Sequence, residues 1–187
     1  MEAKALEGGF GDAPREASFA FRALMTAMAR PGKIERLSGA VPPSPLSVAA
    51  GTLLLTLADG DTPLYLAGAA DTPVVRQWIA FHTGAPLVGP SHAAFAVGTW
   101  QSLQPLEAYP KGTPEYPDRS TTLIIECDDL AAQGAQLTGP GIKDTAALSL
   151  PDVGAFQRNN AWFPLGLDFY FTCGDRVAAL PRSTRIS

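Results

Sequence analysis

The chain has 187 residues, 46% hydrophobic and 17% charged, with a net charge of −4. That length suits one domain and buries roughly 70% of the unfolded surface, so a core needs neither metal nor disulfide. The acidic balance excludes a general nucleic-acid or anionic-membrane footprint, and no run approaches the ~18 apolar residues that span a bilayer.

Met1-Glu2-Ala3-Lys4 lacks the charged segment and apolar run of a signal peptide. Cys127 and Cys173 make no disulfide framework, which fits a reduced cytoplasmic setting. The charged share lies below the usual ~25%, which points to apolar surface covered by a partner.

The first predicted helix covers 14–29. Phe21, Leu24, Met25 and Met28 recur at i, i+3, i+4, i+7, Asp12 stands at the N-cap, and Pro14 suits the first turn. Pro31-Gly32 ends it, because a residue before proline is pushed out of the α region. Arg22 and Arg30 read as solvated helix charges. A short strand over 33–37 leads into the stiff segment 41–45. Ser44 is the expected cap of a second helix whose stripe is Leu46, Ala50, Leu53, Leu54 and Leu57.

A buried strand covers 63–67. Thr72-Pro73 opens a third helix with Val75, Trp78, Ile79 and His82 on one face, and Gly84 closes it. A small-residue strand at 93–97 precedes a helical stretch over 100–109, broken at Pro105, and a loop over 111–118. A strand at 120–126 and a turn at 139–141 follow. We expect the turn on the central edge of the main sheet. After a helix over 153–162, a hairpin pairs 167–172 with 177–180 through Gly174-Asp175. Segment 181–185 then leaves the sheet. Helices alternating with strands and closed by a hairpin predict an α/β layered domain with a mixed sheet.

Few residues carry obvious chemistry. His82 at a helix end reads as a capping donor and His92 as exposed; with two histidines and two cysteines out of ligand spacing, a metal site is not expected. No nucleophile elbow, phosphate loop or dinucleotide fingerprint is present. Cys127 reads as an inert buried thiol. Of the four lysines, only Lys143 is placed to attract a pyridoxal reading, and an ordinary surface role is favoured.

Two features stand apart. Gly139-Pro140-Gly141 is a sharp, pre-set turn whose backbone can approach another segment closely, or offer the free N–H groups of Gly141 and Ile142 to an anion. Asp168 sits inside an apolar aromatic run and needs a partner, for which Arg182 and Arg185 are the natural cations. No acid follows Asp175, so the tail is locally cationic. Its two arginines have the planar donors that bind phosphate in pairs, whereas an exposed ion pair would contribute only about 0–1 kcal/mol.

Seven stretches in order resemble the PhnH family of phosphonate-metabolism proteins, a component of carbon–phosphorus lyase. They include Phe21-Arg22-Ala23-Leu24-Met25 with Pro31-Gly32, Leu53 to Asp59, and His82-Thr83 with Ala85-Pro86-Leu87-Val88. Ala94 to Val97, Leu137 to Ile142, Phe163 to Asp168, and Thr172-Cys173-Gly174 with Pro181-Arg182-Ser183-Thr184 complete them. Ser183 stands where the family pattern has threonine, which keeps the hydroxyl. The resemblance implies a three-layer α/β/α fold similar to the large domain of pyridoxal-phosphate-dependent transferases, without a bound cofactor. It implies a homodimer that joins the G, I and J subunits of a core complex, and no agreed catalytic residue in this component. That complex couples a phosphonate to the ribose of ATP, displacing adenine, ahead of radical C–P cleavage. Gly139, Gly141, Ile142, Asp168, Arg182 and Arg185 are therefore candidates for assembly or for binding a phosphonate or nucleotide phosphate.

Overall fold

The computed structural model describes residues 6–187; residues 1–5, Lys4 among them, lie outside that range. The framework is a six-stranded sheet. Its strands are β1 (Glu35–Arg36), β2 (Leu64–Leu66), β3 (Phe95–Thr99), β4 (Thr122–Glu126), β7 (Asp168–Cys173) and β8 (Arg176–Leu180), in the order β1-β8-β7-β4-β3-β2. Strands β2, β3, β4 and β7 are parallel neighbours, while β8 runs against both β7 and β1. The mixed α/β character read from the sequence is therefore present.

Alternation along each strand sorts the core into two faces. Leu64, Leu66, Val97, Ile124, Tyr170, Val177 and Ala179 pack on one side with α1 (Ala13–Ala29), α2 (Val48–Leu57) and α3 (Pro73–His82). Ala96, Leu123, Ile125, Phe169, Phe171, Ala178 and Leu180 pack on the other. There the cover is α4 (Val153–Asn160), whose Phe156 meets Phe169 edge-on at 4.9 Å, and a second sheet. That sheet is made of β5 (Ala135–Thr138), β6 (Ala146–Leu148) and β9 (Arg185–Ile186), in the order β6-β5-β9.

Several local expectations change. In α1 the buried stripe is Ala20, Leu24 and Ala27, and Phe21 and Met25 face outward, 48% and 53% exposed. Small alanines let α1 lie close to α2, with which it shares a buried cluster, so the bulkier neighbours are turned away. Asp12 makes no side-chain cap; instead its backbone N–H donates to the Glu16 carboxylate at 2.9 Å. Helix α2 begins three residues later than expected, capped by Ser47, whose hydroxyl accepts from the Ala50 N–H at 3.1 Å. Residues 100–109 form turns and one short 3₁₀ segment, because Pro105 lacks an N–H and excludes Gln104 from the α region. The glycine turn lies on the small sheet, joining β5 to β6, and not on the main sheet. Alternation there was too short to reveal β5, β6 and β9.

No helix among the described residues is long and apolar enough to cross a membrane.

Gly141 has φ +80°, and a Cβ placed on it would lie 1.9 Å from the Ala29 carbonyl oxygen at the end of α1. Gly174, in the β7–β8 turn, has φ +60° with open space around it. A left-handed φ alone costs a side chain about 1–3 kcal/mol. Gly174→Ala should therefore stay near the lower end of that range, and Gly141→Ala should exceed its upper end, about 3 kcal/mol, because the clash adds to the strain. Urea unfolding of the two variants checks the ordering; equal losses would mean that the turn does not press on α1.

Candidate functional site

The parallel strands give the sheet two distinct ends. At the amino end, Asp168 opens β7 opposite Thr122, which opens β4. The chain leaves β8 at Leu180, and two residues later Arg182 returns to this corner. Its backbone N–H donates to Asp168 Oδ1 at 2.8 Å, its Nε donates to the same oxygen at 3.2 Å, and Nη2 donates to Asp168 Oδ2 at 2.5 Å. Nη1 reaches the Pro117 carbonyl at 2.5 Å and Nη2 also reaches the Ser120 hydroxyl. The Arg182 carbonyl accepts from Asn160 Nδ2 on α4 at 2.7 Å. The side chains of Arg182 and Asp168 are 12% and 21% exposed. The expected partnership is thus found with Arg182 and not with Arg185, which lies exposed on β9. All three guanidinium nitrogens are engaged within the protein, so this arginine is committed to tying β7, β8, α4 and the approach to β4.

The glycine turn is similarly occupied. The Ile142 N–H, expected to be free for an anion, donates to the Gly139 carbonyl at 3.2 Å and closes the turn. Gly139 lies against the backbone of Ser183 and Thr184, and Gly141 against Ala29. The close approach that the glycines permit is to the protein's own chain. Thr184 Oγ1, beside this contact, is the one buried side-chain polar atom without a partner among the described residues.

The carboxyl end is different. The connection after β2 runs through α3 on one face, whereas Leu103 and Leu106 after β3 pack on the other. Neighbouring strands whose connections diverge leave a crevice at their carboxyl ends, the usual ligand position in open α/β sheets. Two adjoining clefts occur here. One of about 260 Å³ is lined by Trp100, Gln101, Ser149 and Leu150; the other, of about 300 Å³, by Ser47, Gly98, Thr99 and Gly174. Glu126, Cys127 and Asp128 line both.

Glu126 is the organising group between them. Oε1 accepts from the Ser47 N–H at 2.7 Å, at the start of α2, and Oε2 accepts from the Thr172 hydroxyl at 3.0 Å on β7. Burial pushes its carboxyl above the ordinary range, against the opposing effect of those bonds. Burial, with Cys173 next in effect, pushes the Cys127 thiol up to about 12. Both cysteines are free and half-buried. Sequence reading missed Glu126, whose only signal was a carboxylate closing an otherwise apolar strand.

The remaining candidates are scattered. Lys143 is exposed after the glycine turn. Lys111 sits over the Trp162 ring, 3.4 Å from its centroid. His82, half-buried, shares a bond of 3.2 Å with the Glu7 carbonyl and packs against Trp78 and Phe81. No cluster of three or more potential metal ligands occurs among the described residues.

The molecule is thus a mixed α/β protein with its strongest polar clamp at the amino end of the sheet and an acidic crevice at the other. Residues 8–187 match the family described as bacterial phosphonate metabolism protein (PhnH), and the chain belongs to that family. It is 42% identical to alpha-D-ribose 1-methylphosphonate 5-triphosphate synthase subunit PhnH of Rhizobium meliloti (strain 1021), across 96% of this chain and 94% of that protein. It is 30% identical, across 97% and 96%, to HtxG of Stutzerimonas stutzeri, a protein named as a candidate C-P lyase subunit.

The two ends should respond differently to substitution. Removing one member of a buried ion pair leaves the other uncompensated, at about 3–5 kcal/mol. Arg182→Ala should cost about 3 kcal/mol in denaturant unfolding, whereas exposed Arg185→Ala should stay within about 0.5 kcal/mol. Glu126 holds its proton to higher pH in the folded chain than in the unfolded one. Its contribution is fully present below the ordinary glutamate range and is lost as pH rises through the raised value. Glu126→Gln should therefore remove that part of the decline in stability as pH rises above the ordinary carboxylate range. An unchanged decline in the variant would show that Glu126 is not its source.

Proposed function

We propose that this chain is an accessory, assembly-forming component of a carbon–phosphorus lyase core complex acting in organophosphonate catabolism. The observation that carries the reading is the 42% identity, across 96% of this chain, to a named subunit of a ribose-methylphosphonate synthase. In this reading the complex transfers a phosphonate to the ribose of ATP, and this component acts in the cytoplasm as a homodimer beside the G, I and J subunits. It folds as one domain, similar to the large domain of pyridoxal-phosphate-dependent transferases and working without that cofactor. The run of parallel strands β2-β3-β4-β7 flanked by antiparallel β8 supports that likeness.

The surface fits an assembly role. Phe19, Phe21 and Met25 on α1 and Phe81 on α3 are 48–60% exposed, apolar area that a partner would cover. Arg185 and the outer edge of the turn over 139–142 are the parts of the tail and turn left to meet another subunit. The alternative, a phosphonate or nucleotide phosphate held by that turn and the arginines, has less support. Arg182 and the Ile142 N–H are already engaged.

Light scattering should give twice 19.6 kDa. Phe21→Glu with Met25→Glu should abolish co-purification with the other subunits, or the dimer itself, while the melting temperature holds. Growth on a phosphonate as sole phosphorus source should then be lost. Retained assembly and growth would remove α1 from the interface. A melting temperature raised by phosphate or a phosphonate in the isolated chain would favour the alternative, since a ligand of the native state stabilises it by mass action.

A further inference from the structure

The unused chemistry at the carboxyl end of the sheet is a pair of thiols. Cys127 and Cys173 are far apart in sequence, but β4 and β7 pair in parallel with Glu126 opposite Thr172. The ladder continues one step further, with the Cys127 N–H donating to the Thr172 carbonyl at 2.8 Å. Extending the register by one residue sets Cys127 beside Cys173. Paired residues of neighbouring strands share a face, and both cysteines pack against the same core cluster.

The sulfur positions agree with this register. The Cys173 thiol donates to the Asp128 carbonyl at 3.5 Å, so its sulfur reaches across to the residue next to Cys127. Adjacent strands lie about 4.8 Å apart, within the ~4.4–6.8 Å between Cα atoms that a disulfide bridges. Arg176 Nη2 donates to the Cys173 sulfur at 3.5 Å, and the same guanidinium is 3.7 Å from Asp129. Cys127 lines both clefts, and Cys173 is partly exposed next to Gly174, which lines the second.

We infer that Cys127 and Cys173 form a cross-strand dithiol that a hydroperoxide converts reversibly to an intramolecular disulfide. Cys173 attacks the peroxide, the O–O bond breaks, a Cys173 sulfenic acid forms, and the departing oxygen takes the thiol proton and leaves as water from hydrogen peroxide, or as the alcohol from an organic hydroperoxide. The Cys127 sulfur then attacks the Cys173 sulfur, the S–O bond breaks, and water leaves with the proton from Cys127. Two thiols are oxidised and one hydroperoxide is reduced. The order follows from the surroundings of the two sulfurs: the Arg176 guanidinium touches the Cys173 sulfur at 3.5 Å, whereas burial disfavours the charged form of Cys127 and so its acting first. The product would staple the ends of β4 and β7 at the wall shared by the two clefts.

The test uses the full chain and hydrogen peroxide. Thiol titration after denaturation should fall from two per chain to none, the intact mass should drop by two hydrogens, and peptide mapping should join the Cys127 and Cys173 peptides. Dithiothreitol should restore both thiols. In Cys127→Ser, Cys173 should stop at a sulfenic acid trapped by dimedone, or proceed to sulfinic acid that dithiothreitol does not reverse. In Cys173→Ser, Cys127 should react several-fold more slowly than Cys173 does. Melting curves of both variants confirm folding before oxidation. Two thiols surviving peroxide in the folded parent would overturn the inference, as would disulfides only between chains, or a Cys127→Ser chain in which Cys173 is neither labelled by dimedone nor oxidised to sulfinic acid.

Discussion

The parallel register of β4 against β7 determines what stands at both ends of the sheet. Thr122 opposite Asp168 places the carboxylate where Arg182, Ser120 and the Pro117 carbonyl converge. Glu126 opposite Thr172 lets one carboxylate join β4, β7 and the start of α2. A slip of one residue would turn Phe169 and Phe171 from the α4 side to the helical side and Tyr170 the other way. Tyr170 would then lose the Leu24 carbonyl, to which its hydroxyl donates at 3.3 Å. Both packed faces oppose such a slip, so each reinforces the alignment of the polar groups at the rims.

These polar groups then act by different physics. At the amino end a full charge is matched by a full charge, with further acceptors for the spare guanidinium protons. A pair with such satisfied geometry survives desolvation, and losing either partner is what costs. At the carboxyl end no cation among the described residues is paired with Glu126. Its oxygens take an N–H and a hydroxyl, and burial favours the protonated form. The first arrangement is a fixed tie. The second is a group whose charge can change, beside open clefts, which is where chemistry is more often found.

The sequence made much of this legible, for identifiable reasons. The 3.6-residue stripe located α3, and Thr72 and Pro73 marked its start, because the hydroxyl cap and the fixed φ of proline act locally. Asp168 announced a partner because a carboxylate amid aromatic residues needs one. The choice between Arg182 and Arg185 depended on where the chain turns after β8, which local pattern does not encode. The α1 stripe misled because Phe21 and Met25 keep helical spacing with Leu24, whereas burial follows the small alanines that allow close approach. Strands β5, β6 and β9, of two to four residues, are too short for alternation to register. The Cys127–Cys173 juxtaposition is a product of register between distant strands and has no local signature.

Gly139-Pro140-Gly141 illustrates how one local feature permits opposite functional readings until tertiary contacts are known. Two glycines around a proline predict a backbone able to come close to something, and that much is a property of φ and of the absent Cβ atoms. An anion would require outward N–H groups and nearby cations without partners. In this molecule the Ile142 N–H closes the turn, Gly141 abuts Ala29, Gly139 abuts Ser183 and Thr184, and Arg182 serves Asp168. The turn thereby connects the small sheet to the end of α1 and to the C-terminal strand. What remains outward around the turn includes Arg185, Lys143 and, on α1, an apolar surface.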